Sequence, residues 1–337
     1  MTQTAQDSIG VIGVVGGGAW GTALASTCTR SGLPVTLWAY EQAVVEAINT
    51  GHENPVYLPG ITLPDTLKAT AELADMSACD AVLMVTPAQH LGGILADLTP
   101  HLKSAASVVL CAKGIEQTSL RFMSEVAAEH IDPSRLAVLS GPSFAADVAR
   151  GLPTAVTLAC PDQARGKALS AAIGQVDFRT YLSDDVIGAE IGGVVKNVLA
   201  IACGIVAGRE LGESARAALT ARGYAEMTRL GVKLGAKAET LGGLSGLGDL
   251  ILTCASPTSR NFSLGVALGQ NHSADDVLAG RSSVSEGAMS AAALAALADK
   301  LEVDMPICQA VAQILDGSIN VDMAISQLLA RPFKREA

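Results

Sequence analysis

Close to its start the chain reads Gly16-Gly17-Gly18-Ala19-Trp20-Gly21, just after the apolar run Val11–Val15 and just before Thr22-Ala23-Leu24-Ala25. Gly16, Gly18 and Gly21 satisfy Gly-x-Gly-x-x-Gly. The pattern alone is weak, because a chain with 34 glycines can meet it by chance. Its position between an apolar strand and a helix supplies the context that gives it meaning. There Gly16 permits a tight turn, Gly18 lets the backbone approach a pyrophosphate, and Gly21 lets the helix pack closely on the strand. The phosphates then face free N–H groups at a helix N-terminus. The turn predicts a bound nicotinamide dinucleotide on a Rossmann-type sheet.

The second strand ends at Leu37-Trp38-Ala39, followed by Tyr40 and Glu41. An acid in this place accepts hydrogen bonds from the adenosine ribose of NAD, whereas a basic residue accommodates the 2′-phosphate of NADP. No Arg or Lys is close by in the sequence. Glu41 serves equally well as a solvated first-turn residue of the next helix, so both readings stay open.

Short β-rich runs follow one another at Val11–Val15, Val35–Trp38, Ala81–Thr86, Ser107–Cys111, Leu136–Leu139 and Thr154–Leu158. Helix-like segments such as Ala19–Ser31 and Leu120–Glu129 lie between them. Strand then helix, repeated, predicts a mostly parallel, doubly wound α/β sheet. Near Asp184 the texture changes to Ala/Leu-rich segments: Val186–Val206, Ser214–Leu234, Phe262–Leu268, Ala288–Leu301 and Cys308–Leu315. The expected organisation is a dinucleotide-binding domain over residues 1–185 and an all-α substrate-binding and catalytic domain over 186–337. A length of 337 residues suits two such units.

Composition removes several function classes. The net charge of −10 weighs against nucleic-acid binding, which needs a basic surface. An anionic small molecule would then require a few cations focused in a cleft. The longest uninterrupted apolar stretch, Val198 to Gly208, is about half of the roughly 18 residues a membrane span takes. The polar first residues lack the basic start of a targeting peptide. Seven cysteines, at 28, 79, 111, 160, 203, 254 and 308, form no Cys-x-x-Cys pair. They read as buried thiols in a reducing cytoplasm. The five histidines show no metal-ligand spacing.

Four further segments join polar residues to glycine in ways a core does not need. Lys113-Gly114-Ile115-Glu116 follows a buried-looking strand, on the ligand side of an open sheet. Ser140-Gly141-Pro142-Ser143-Phe144-Ala145 follows the next strand, with Ser143 expected to cap a helix. Gly192-Gly193-Val194-Val195-Lys196-Asn197-Val198 sets a lysine in an apolar helix, which is costly unless the lysine is paired or functional. Burial and nearby cations would lower its pKa, as a proton donor near neutrality requires. Finally, Gly246-Leu247-Gly248-Asp249-Leu250 precedes Ser259-Arg260-Asn261, where a guanidinium, a capping hydroxyl and a helix N-terminus suit a phosphate.

In this order the segments resemble the bacterial NAD(P)-dependent sn-glycerol-3-phosphate dehydrogenases over nearly the whole chain. The likeness extends through Ala225-Glu226-Met227-Thr228-Arg229-Leu230-Gly231 and Val284-Ser285-Glu286-Gly287. It implies reversible reduction of dihydroxyacetone phosphate to sn-glycerol 3-phosphate by NAD(P)H, supplying glycerophospholipid synthesis, in a cytoplasmic homodimer joined through its helical domain. It implies Lys196 as the catalytic acid/base. Lys113, Gly141, Ser143, Lys196, Asp249, Ser259, Arg260 and Asn261 match the substrate-contacting positions. Ala19, Trp20, Tyr40, Lys113, Ala145, Arg260, Val284 and Glu286 match the cofactor-contacting positions, beside Gly16, Gly18 and Gly21 of the turn. The family often carries a basic residue or histidine at position 40, so Tyr40 departs from the pattern and leaves the usual NADPH preference open.

The expected mechanism has Lys196 protonating the carbonyl oxygen, with Lys113 polarising it and Asp249 holding the lysine or a substrate hydroxyl. Arg260, helped by Asn261, grips the phosphate in a cleft between sheet edge and helices. The residues by themselves also suit a two-domain dehydrogenase of hydroxy acids or ketopantoate, with a carboxylate on Arg260 and Asn261. A nicotinamide-binding sensor without turnover would not need Lys113, Lys196 and Asp249 together.

Overall fold

The structure, a computed structural model, describes residues 8–279 and 285–332. Eight strands form one sheet: β1 (Ile12–Val15), β2 (Val35–Trp38), β3 (Lys68–Thr70), β4 (Ala81–Met84), β5 (Ser107–Leu110), β6 (Leu136–Ser140), β7 (Thr154–Ala159) and β8 (Phe178–Ser183). Their order is β3-β2-β1-β4-β5-β6-β7-β8. Neighbours run parallel except β6 and β7. The chain leaves β1 towards β2 and later returns to β1's other side as β4. The carboxyl end of β1 is therefore the switch point, where open α/β sheets bind ligands.

Helices α1 (Ala19–Arg30), α2 (Gln42–Gly51), α3 (Leu91–Leu98), α4 (Met123–Ala127), α5 (Ala145–Ala149) and α6 (Gln163–Ile173) belong to this half. Alternate strand residues feed two cores. Ile12, Val14, Leu83 and Val109 pack with Leu24 of α1 and Leu169 of α6. Val15, Met84 and Leu110 pack with Leu91 and Leu95 of α3 and Met123 of α4. Burial on both faces is why these strands read as unbroken apolar runs.

Two strands and one helix differ from expectation. β3 buries only Ala69, and β8 at the sheet's edge buries only Phe178. Neither leaves an apolar run to read. The helix expected over Leu120–Glu129 is confined to α4. Leu120 sits at φ 60°, outside helical space, and Ile115 and Phe122 form an antiparallel bridge.

The second half holds α7 (Val186–Gly208), α8 (Glu213–Lys233), α9 (Ala238–Leu241), α10 (Asp249–Ala255), α11 (Arg260–Gly269), α12 (Ala274–Ala279), α13 (Glu286–Lys300), α14 (Pro306–Leu315) and α15 (Val321–Leu329). Helix α7 is its axis. By length and composition it could cross a membrane, with mean hydropathy 1.8, but 83% of that stretch is buried inside the protein. Its apolar residues face the surrounding helices instead of lipid. Helix α11 lies against it backbone to backbone. A Cβ on Gly204 would fall 2.0 Å from Phe262 O, and one on Gly265 would fall 2.0 Å from Ile201 O. Gly208 and Gly269, one turn further along each helix, approach as closely: a Cβ on Gly269 would meet Gly208 Cα at 3.0 Å. Only hydrogen at these positions permits the approach.

Candidate active site

The turn after β1 is built by contact. Gly16 has φ 131°, and a Cβ there would lie 2.6 Å from Val85 O. One on Gly21 would lie 1.8 Å from Gly16 O, whereas one on Gly18 would meet nothing within 4 Å. Gly16 and Gly21 close the turn, and Gly18 leaves its outer face open. Gly18 is also the N-cap of α1 and contributes no side-chain hydrogen bond. Among the described residues no side chain caps the first turn of α1, as an anion site requires. Ala19 and Ala145 pack on the core beneath, and the Trp20 ring sits 6.4 Å from that of Phe178.

Because β1, β5 and β6 run parallel, the loops carrying Lys113 and Gly141 emerge at the same edge as the turn. Helix α7 crosses this edge. A Cβ on Gly193 would stand 3.1 Å from Lys113 Cγ, so glycine there makes room for the lysine stem. Lys113 Nζ donates to Gly141 O at 3.2 Å and to Asp249 Oδ2 at 2.6 Å. Lys196 Nζ lies 3.3 Å from Asp249 Oδ1 and donates to Thr253 Oγ1 at 3.1 Å. The Thr253 hydroxyl in turn donates to Asp249 Oδ1 at 3.1 Å. One buried carboxylate thus holds two lysines contributed from different halves of the chain.

The electrostatics follow from this arrangement. Burial lowers the Lys196 pKa to about 8, and Lys113 pushes it the same way, against the pull of Asp249. Burial alone would raise Asp249, but the charges of Lys113 and Lys196 outweigh it and hold the carboxyl below its usual range. Lys196 can therefore exchange a proton near neutrality while Asp249 stays ionised.

Ser259 caps α11 by accepting from Phe262 N–H at 3.3 Å, as expected. Arg260 opens that helix on the exposed side. Asn261 turns inward. Its amide donates to Asn197 Oδ1 at 2.9 Å, and its oxygen accepts from Ser285 Oγ at 2.9 Å and Gly287 N at 3.1 Å. Asn197 Nδ2 reaches Lys113 O at 3.3 Å. Asn261 is thus a tie between α7, α11 and α13, next in sequence to Arg260. Ser143 also differs from expectation. The N-cap of α5 is Phe144, with no side-chain cap bond, and Ser143 Oγ donates to Gly141 O at 3.1 Å.

Glu286 begins α13. Its Oε1 accepts from Ala88 N at 3.2 Å, while Oε2 is buried with no hydrogen-bond partner among the described residues and faces Gly114. An orphaned acceptor, an uncapped helix and an open face over Gly18 together fit a bound dinucleotide. Tyr40 lies two residues beyond β2, 82% exposed. Val284 lies outside the described residues.

Sequence reasoning missed Thr253, whose signal was its four-residue spacing from Asp249 on α10. It also missed Glu190, which accepts from Ser124 N at 2.8 Å and Ser124 Oγ at 2.6 Å. Burial pushes its carboxyl up to about 7.

Residues 11–166 match the N-terminal part, and 185–326 the C-terminal part, of NAD-dependent glycerol-3-phosphate dehydrogenase. The chain belongs to the glycerol-3-phosphate dehydrogenase family. The glycerol-3-phosphate dehydrogenase (NAD(P)+) of Parvibaculum lavamentivorans is 58% identical over 325 residues, covering 96% of this chain and 98% of that protein. That of Caulobacter vibrioides is 58% identical over 326 residues, covering 97% and 98%. The crystal structure of glycerol-3-phosphate dehydrogenase from Coxiella burnetii superposes with TM-score 0.91 at 38% identity, covering 95% of this chain and 99% of that one. Membership in this glycerol-3-phosphate dehydrogenase family makes the chain an NAD(P)-dependent oxidoreductase.

Proposed function

We propose that this chain reduces dihydroxyacetone phosphate to sn-glycerol 3-phosphate, reversibly, with residues 1–185 holding the cofactor and 186–337 supplying the proton donor and the phosphate grip. The observation that carries this reading is Asp249 bridging Lys113 at 2.6 Å and Lys196 at 3.3 Å at the carboxyl edge of the sheet. When bound on the glycine turn, the dinucleotide supplies the hydride.

Lys196 donates the proton to the ketone oxygen, and Lys113 stabilises the negative charge that develops there. Asp249 and Thr253 fix the Lys196 ammonium, so that donor and acceptor meet without reorganisation. Arg260, at the N-terminus of α11, takes the phosphate, and Asn261 holds that helix end against α7. Binding energy from the remote phosphate thereby orients the carbonyl. The matching experiment compares NADH oxidation with dihydroxyacetone phosphate and with dihydroxyacetone. The phosphorylated ketone should be preferred by about 10³-fold or more in kcat/KM. Comparable rates, or preference for a 2-keto acid, would remove the phosphate reading.

The Lys196 value of about 8 sets a pH dependence. Reduction needs the protonated amine, so kcat for reduction should hold steady below that pH and fall about tenfold per unit above it. Oxidation of glycerol 3-phosphate needs the neutral amine and should fall on the opposite side. A reduction rate unchanged well above pH 8 would contradict the assignment of Lys196.

Seven buried free cysteines support a reducing compartment, the cytoplasm. Exposed Leu211, Met323 and Leu329 on the helical half support a homodimer joined there. The product is a precursor for glycerophospholipid synthesis.

A further inference from the structure

The acid that follows β2 is held in place. Tyr57 Oη donates to Glu41 Oε1 at 2.7 Å. Tyr57 is anchored in turn, its backbone N–H donating to Asn54 Oδ1 at 3.1 Å. The buried Asn54 amide donates to Gly17 O and to Thr22 Oγ1, each at 2.8 Å. A hydrogen-bonded chain therefore runs from the glycine turn to the Glu41 carboxylate. The turn also abuts the end of β2, since a Cβ on Gly17 would lie 2.5 Å from that of Ala39. Glu41 stands two residues beyond this contact, where a Rossmann sheet receives the adenosine ribose.

The segment that follows β2 is predominantly acidic. Between Ala39 and Cys79 stand Glu41, Glu46, Glu53, Asp65, Glu72 and Asp75, with Lys68 as the one lysine or arginine. Lys68 opens β3 opposite Thr36, about 7 Å back along the strand from its ribose end. Thr70, at that end, donates its hydroxyl to Asp75 at 2.6 Å and accepts from Glu72 N at 3.0 Å. Tyr40 contributes a ring and no charge.

We propose that Glu41, positioned by Tyr57, makes this chain select NADH over NADPH. The inference rests on a dinucleotide seated on the glycine turn. The carboxylate accepts hydrogen bonds from the ribose hydroxyls of NADH. A 2′-phosphate replaces one of those donors with a charge of nearly −2, against a carboxylate that Tyr57 keeps from swinging away. The cation that accommodates a 2′-phosphate elsewhere has no counterpart in this segment.

The test is a binding titration without substrate, at fixed ionic strength, following the fluorescence of Trp20 in the turn and Trp38 at the end of β2. The Kd for NADPH should exceed that for NADH by about 30-fold or more, about 2 kcal/mol. Glu41→Gln should bring the ratio below about fivefold, chiefly by tightening NADPH, since it removes the charge and keeps the shape. Tyr57→Phe should lower the ratio by about threefold; a merely structural tyrosine would instead weaken both dinucleotides alike. Equal affinities in the unaltered protein, or a ratio that Glu41→Gln leaves unchanged, would overturn the selection while leaving the dehydrogenase reading intact. Failure to bind either dinucleotide would remove both.

Discussion

Lys196→Ala should lower kcat for ketone reduction by roughly 10³-fold, with the affinity for NADH unchanged. The expectation comes from position and charge together. Lys196 is only 8% exposed, on a largely apolar helix, and its pKa of about 8 leaves it charged at neutrality yet able to give up a proton. Lys113 cannot take its place, because its ammonium is held between Asp249 at 2.6 Å and Gly141 O at 3.2 Å. The dinucleotide turn lies on another element, so binding should survive. The two measurements are turnover by nicotinamide absorbance and NADH affinity by protein fluorescence. Lys196→Met, which keeps the aliphatic bulk, guards against a packing defect; near-normal turnover in both variants would refute the role.

Removing the Asp249 carboxylate should be nearly as damaging, and in two ways. Asp249→Ala leaves two lysine charges facing each other without their shared partner, one of them buried. Breaking such a pair costs about 3–5 kcal/mol, measurable by denaturant unfolding. Asp249→Asn keeps the shape and isolates the charge. Burial and Lys113 then act on Lys196 without opposition, so its pKa drops and the falling limb of the reduction profile moves to lower pH. A turnover loss of about 10²-fold at pH 7.5 that partly recovers at pH 6 is the expected signature. An unshifted profile would make Asp249 a scaffold residue without influence on the proton donor.

Much of this was legible in the residues. A lysine inside an apolar helix is costly enough to announce itself, and Lys196 was found that way. Strands buried on both faces leave unbroken apolar runs, so β1, β2 and β4 to β7 stood out. The three-residue β3 and the half-solvated β8 left no such trace. Side-chain direction was the hardest thing to read. Ser143 has the chemistry of a helix cap, yet its hydroxyl turns back to Gly141 O, and Asn261, expected to help bind a phosphate, turns inward to Asn197. Both outcomes depend on neighbours more than fifty residues away or on backbone angles that no spacing reveals. The pairing of Lys113 with Asp249 joins residues 136 apart, and only the packing of α7 on both α10 and the sheet edge brings them together.

The glycine seam between α7 and α11 bears on how this protein can be recombined. Gly204 and Gly208 of one helix fit Gly265 and Gly269 of the other through backbone atoms alone, so neither surface tolerates a partner with different small residues. Chimaeras that cross over between residues 208 and 260 would inherit the two halves of the seam from different parents. Those that exchange residues 186–269 as one block carry Lys196, Asp249 and the N-terminus of α11 together. Under the proposed roles, such a block moves most of the substrate-facing residues at once and leaves only Lys113 and the Gly141 loop to be matched, whereas the positions after β2 can be exchanged singly.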